Sequence, residues 1–312
     1  MKQIFKNPDV SRKFGIVASL LVLMIVFTAL TNKFLSVGNF LNILQQAAIN
    51  LCVAVGMTFV IITGGIDLSV GSVMALSGMI MAMMMDSGIP PVLAVIIGLI
   101  SGCLFGAFNG LLVAKMQLQP FLVTLGTMSA YRGITLIISN GLPVRGFSSA
   151  YVTFMNSLNS VIPLPIIISL ILALCAFIVL RYYRFGQYLF AVGGNEEATR
   201  LSGIKTDKMK ILTYGFSGFC SSLAAVVFLG RLGAADPQAG NGYEMNAIAA
   251  AAIGGASLAG GKGSIVGTII GCLILQTLNN GLTLLNVQSF YQTFAIGVIV
   301  LIATIIDRYS SK

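Results

Sequence analysis

The chain has 312 residues, of which 57% are hydrophobic and 9% charged, with a mean hydropathy of +0.95. Soluble domains carry roughly 25% charged residues, so most side chains here face something other than water, and a large soluble domain is excluded. The net charge of +9 comes without a basic arm or an RNA-binding aromatic motif, which argues against nucleic acid and leaves surplus Lys and Arg as a report of membrane orientation.

At about 20 residues per crossing, uncharged runs bounded by charges, Pro or Asn/Gly clusters predict an all-α integral membrane protein. The predicted spans are 14–31, 41–62, 69–85, 92–114, 120–138, 164–182, 211–230, 245–258, 264–281 and 290–306. Together they form one polytopic domain over 1–312. Lys2, Lys6, Arg12 and Lys13 ahead of the first run resemble a signal peptide. No small-x-small cleavage site follows Ala29, so a retained first span is expected.

The second run ends in Thr63-Gly64-Gly65, and Asp67 opens the third. Two readings of Asp67 stand: a carboxylate accepting free N–H groups at a helix start, or a group on the substrate path with Ser69. Broken segments at membrane depth occur only where protein buries them or a cavity runs beside them, and in transporters they mark the pathway. GGIDLSVGS (Gly64–Ser72) is echoed by GGASLAGGKGS (Gly254–Ser264) in the short eighth span, which is consistent with an internal repeat. Gly98, Gly102, Gly106 and Gly110 recur every four residues, as do Gly263, Gly267 and Gly271, which predicts close helix packing. Arg132 lies within the fifth span, about 18 Å along the helix. It either pairs with carbonyls at a helix break or meets polar solute in a vestibule. Asn279 and Asn280 split the last uncharged stretch and join the pathway candidates.

Between the sixth and seventh spans, Tyr183–Lys210 is the main polar loop. Gly193-Gly194-Asn195 leads into Glu196-Glu197-Ala198-Thr199-Arg200, and Gly203 follows. Asn195 is a good N-cap, the two Glu suit the positive helix end, and Gly203 suits the C-terminal stop. A helix of about two turns is too short to stand alone, so it docks either on its own bundle or on a partner. Placing both termini in the cytoplasm leaves only Lys33, Arg145 and Arg231 outside, as the positive-inside rule requires.

Enzyme chemistry finds no foothold. Without histidine there is no His-based zinc or haem site and no His general base. Cys52, Cys103, Cys175, Cys220 and Cys272 stand singly, without a C-x-x-C pair. Ala256-Ser257-Leu258-Ala259-Gly260-Gly261-Lys262-Gly263 lacks the first Gly and the final Ser/Thr of a phosphate loop. It also lacks the last Gly of a hydrolase elbow.

Several segments together resemble permease subunits of sugar-importing ATP-binding-cassette transporters, with ribose permeases the most similar group. They are GGIDLSVGS (Gly64–Ser72), LVTLGTMSAYRG (Leu122–Gly133), SNGLPVRGF (Ser139–Phe147) and AVGGNEEATRLSGI (Ala191–Ile204). The resemblance continues through Pro237–Gly271 and LNNGLTLLNVQSFYQ (Leu278–Gln292). It implies a permease homodimer in the cell membrane, importing a monosaccharide such as ribose or a related pentose. The implied partners are a cytoplasmic ATPase subunit, which would bind the ATP and Mg, and an extracytoplasmic sugar-binding protein. No cofactor is expected on this chain. Gly193, Gly194, Asn195, Glu196, Glu197, Ala198, Arg200 and Gly203 would form the coupling contact to the ATPase. The Asn, Gln, Ser and Thr of the spans, with almost no ionisable groups, suit an uncharged polyol. A stand-alone secondary sugar transporter or facilitator is the alternative.

Overall fold

The computed structural model describes residues 8–156 and 163–310. Lys2, Lys6, Lys312 and the centre of the outer loop after Asn156, all used above, lie outside the described residues. The first half of the chain gives α1 (Pro8–Leu30), α2 (Val37–Ile62), α3 (Val70–Asp86), α4 (Pro91–Lys115), α5 (Pro120–Ser139) and α6 (Ser149–Asn156). The second half gives α7 (Leu164–Tyr182), α8 (Arg184–Gly194), α9 (Glu196–Leu201), α10 (Thr206–Leu232), α11 (Tyr243–Ile253), α12 (Ile265–Leu284) and α13 (Ser289–Ser310). A two-residue antiparallel pair, β1 (Val144–Arg145) with β2 (Ala234–Ala235), adds a feature that the all-helical expectation lacked.

Local chemistry sets the helix starts. Ser36 caps α2 by accepting the Asn39 N–H, and Ser264 caps α12 by accepting the Gly267 N–H. Proline opens α4 and α5, where its missing N–H costs nothing. Each predicted span is met by a helix, and α2, α4, α5, α7, α10 and α12 are long and apolar enough to cross a membrane. Shorter apolar stretches are Gly15–Leu30, Val70–Asp86 and Ser289–Leu301. The eighth predicted span was drawn too long: α11 stops at Ile253, and residues 254–264 are irregular.

In α2 and α10, 83% and 67% of the apolar window is buried, against 22% in α4. The first two therefore form the centre of the bundle, and α4 lies at its edge. What holds α4 on is its glycine stripe. A Cβ at Gly102, Gly106 or Gly110 would strike α10 backbone or side-chain atoms at Gly218, Tyr214 and Ile211, and one at Gly98 would strike Met81 of α3. The second stripe works the same way: Gly267 and Gly271 of α12 meet Gly254 and the Ala250 carbonyl at the end of α11. With no apolar solvent gradient between helices in lipid, such backbone proximity is what makes them adhere.

Candidate coupling face and translocation pathway

The predicted helix after Asn195 is present as α9, six residues long. The Asn195 side chain accepts the Ala198 N–H at 2.9 Å, and Gly203 takes the left-handed conformation that ends the turn. Glu197, Ala198 and Arg200 are exposed, and Leu201 is 82% exposed, although a lone short helix normally hides its Leu. Thr199 alone is buried, so α9 rests on the bundle by one edge. Lys210 Nζ reaches Glu196 Oε2 at 2.6 Å, tying α9 to α10. Lys115 of α4 holds Asp207 at 3.2 Å. A cleft of about 590 Å³ opens between Lys115, Arg200 and the Gly203–Lys208 segment.

Gly193 and Gly194 lie in the last turn of α8, a helix that sequence reading had treated as loop. Its small turn-forming residues hid it, while its buried positions Gly186, Leu189 and Val192 follow helical spacing. The two glycines differ. A Cβ at Gly194 would meet open space, whereas one at Gly193 would collide with the Ile62 carbonyl and the Gly261 amide. Gly261 N–H in turn donates to Ile62 O at 2.9 Å. Gly260 packs against Gly193 O and Gly64. The coupling segment thus touches the end of α2 and the irregular 254–264 segment, backbone to backbone.

Asp67 lies 1% exposed in the break between α2 and α3. Its Oδ1 accepts the Ser69 N–H at 3.0 Å and the Ser69 hydroxyl at 2.6 Å, and its Oδ2 accepts the Ser217 hydroxyl of α10 at 2.9 Å. Asn109 of α4 donates to Ser69 Oγ at 2.7 Å, and Tyr131 of α5 donates to Asn109 Oδ1 at 3.4 Å. The N-cap position of α3 is Ser69, so the carboxylate closes a turn one step earlier than a simple cap would. It also joins the start of α3 to α10 directly and to α4 through Ser69. Sequence reading missed Ser217 and Asn109, whose lone polar positions inside apolar helices were the available signal.

Arg132 of α5 is partly buried and donates through Nη1 to the carbonyls of Pro237 and Ala239, at 2.6 and 2.8 Å. Among the described residues it forms no ion pair, and Asp67 is engaged by hydroxyls and an amide instead. The segment it holds, between β2 and α11, brings Gly240 against Gly71 in the first turn of α3. Two broken segments thus meet at one point. Asn280 of α12 forms a reciprocal amide pair with Asn39 of α2, at 3.0 and 2.8 Å. The neighbouring Asn279 has a buried Oδ1 with no partner among the described residues. Asp67 and Ser69 are therefore together, while Arg132 and the Asn279–Asn280 pair stand elsewhere in the bundle.

Residues 39–304 match the family described as the branched-chain amino acid transport system / permease component. The chain belongs to that family. This permease is 46% identical to the ribose import permease protein of Bacillus subtilis over 304 residues, 97% of this chain and 94% of the relative. It is 46% identical to that of Escherichia coli K12 over 294 residues, 93% of this chain and 92% of the relative. The D-allose transport system permease protein of the same organism is 43% identical over 303 residues, covering 96% and 93%. No solved structure matches at a significant level.

Proposed function

We propose that the chain is the membrane-spanning permease subunit of a binding-protein-dependent ATP-binding-cassette importer, moving a monosaccharide, ribose or a related pentose, into the cell. The single observation that carries this reading is the 46% identity to ribose import permeases across 93–97% of the chain. The interior supports it, since amides and hydroxyls rather than unpaired charges fill its polar positions. A neutral polyol needs hydrogen-bond partners and no counter-charge.

In this reading α1–α5, α7 and α10–α13 cross the cell membrane, giving ten crossings with both termini cytoplasmic. Two copies form the pore, served by a cytoplasmic ATPase subunit and an extracytoplasmic sugar-binding protein. The chain is no enzyme: ATP and Mg act on the partner ATPase. Glu197, Ala198, Arg200 and Leu201 form the surface offered to that partner. Glu196 braces α9 on Lys210, and Gly193 carries its motion to residues 62–64 and 260–261. Asp67 and Ser69 hold the broken entry to α3 in shape, and Arg132 holds the segment facing it.

The deciding experiment is reconstitution. Proteoliposomes holding the permease with its ATPase and sugar-loaded binding protein take up labelled ribose only with ATP. Permease alone takes up none. Uptake by the permease alone, down a gradient, identifies a stand-alone transporter and ends this reading.

A further inference from the structure

One seam of side chains lies outside everything assigned above. Asn39, Asn42, Gln46 and Asn50 fall at steps of three, four and four residues and so share one face of α2. Gln276, Asn279 and Asn280 share a face of α12, which packs on α2. Below the Asn39–Asn280 pair the amides form a directional chain. Asn50 Nδ2 donates to Gln276 Oε1 at 3.0 Å, and Gln276 Nε2 donates to Gln46 Oε1. Gln46 Nε2 donates to Asn42 Oδ1 at 3.1 Å, and that oxygen also accepts Nη2 of Arg231, from the end of α10, at 2.8 Å.

The two ends of this chain differ. At Arg231 it ends on a cation, and all the oxygens near it are filled. At Asn50 it ends on a buried carbonyl oxygen with no partner among the described residues. Two more such oxygens belong to Asn279 of α12 and Asn246 of α11, and α11 packs on both α2 and α12. A polar network that only glues helices gains most when every buried member is satisfied, and an orphaned buried acceptor costs stability. Three orphans, all amide oxygens and all on three mutually packed helices, make a site short of donors.

The geometry points to a substrate subsite at the α2–α11–α12 seam, in which the hydroxyls of a neutral polyol donate to the side-chain oxygens of Asn50, Asn246 and Asn279. This rests on the sugar-import reading and specifies where the sugar is held within the bundle. Hydroxyls fit because each one donates to an acceptor and still accepts from an amide N–H. The amide chain between α2 and α12 then acts as a closed fastening, whose rungs exchange their partners for sugar hydroxyls when the two helices part.

The test uses the full complex in proteoliposomes, with labelled ribose, and the variants Asn50→Leu, Asn246→Leu and Asn279→Leu. Leu removes the oxygen at nearly constant volume. If the oxygens serve only packing, removing an orphan leaves stability and uptake unharmed. As a substrate subsite, each variant loses about tenfold in uptake, what one hydrogen bond worth about 1.4 kcal/mol represents. The thermal midpoint in detergent does not fall, and ATP hydrolysis stimulated by the loaded binding protein stays within about twofold, less than one such bond. Should a Leu variant fold poorly, Asn→Thr at the same position keeps an oxygen, and its uptake lies between the Leu variant and the parent. Parent-like uptake in all three Leu variants, or Thr variants no better than Leu, overturns the subsite while leaving the importer intact. A parent complex that imports leucine instead of ribose overturns the sugar reading itself, and the polyol assignment with it.

Discussion

Asp67 shows how much one buried carboxylate can organise without meeting a cation. It accepts three hydrogen bonds from Ser69 and Ser217, all from neutral donors. Asn can supply most of this: its oxygen keeps the Ser69 bonds, and its amide donates to Ser217 Oγ. Asp67→Asn is therefore expected to keep most sugar uptake per membrane protein. Asp67→Ala strands donors that each cost about 1–3 kcal/mol when buried and unsatisfied, so folded protein is expected to disappear from the membrane. An abundant but inactive Asn variant would show that the charge itself works. The two coupling glycines give a sharper contrast. Gly194→Ala enters open space and retains uptake, whereas Gly193→Ala strikes the Ile62 carbonyl and abolishes it. Equal uptake in the two variants would remove the backbone contact from the mechanism. In sequence both were part of one Gly-Gly motif; only the three-dimensional neighbours separate them.

At the scale of elements, α9 was legible because capping is local chemistry. Asn195, Glu196, Glu197 and Gly203 encode its start and stop within nine residues. The glycine stripes of α4 and α12 were legible for a similar reason, since periodicity reports a helix face without revealing what covers it. α8 was not legible, because Gly193 and Gly194 read as punctuation while their helical packing depends on distant Ile62 and Gly261. The seam partners Asn39 and Asn280 are 241 residues apart, beyond any local signal. The Glu196–Lys210 pair is half exposed at the carboxylate, where such bridges contribute about 0–1 kcal/mol. Glu196→Lys is therefore expected to leave thermal stability almost unchanged while uptake per ATP hydrolysed falls severalfold. Unchanged coupling with the reversed charge would show that α9 is not braced through this contact.

For the whole molecule, the cation distribution and the positions of the helices make one topological prediction. In right-side-out vesicles, tags at either end are expected to resist external protease, and a tag inserted beside Arg145 is expected to be cut. A C-terminal tag open to the outside would end the proposed orientation. The contacts around Gly193 carry a further consequence. They are made by main-chain atoms of residues 62, 193 and 260–261, whereas the surface offered to the partner consists of the side chains of Glu197, Ala198, Arg200 and Leu201. Recognition and transmission are thus written in different parts of the same short segment. The recognising letters can be exchanged while the gearing stays fixed. A permease of this design can be transplanted onto a foreign motor by rewriting four exposed side chains, with the path through the membrane left untouched.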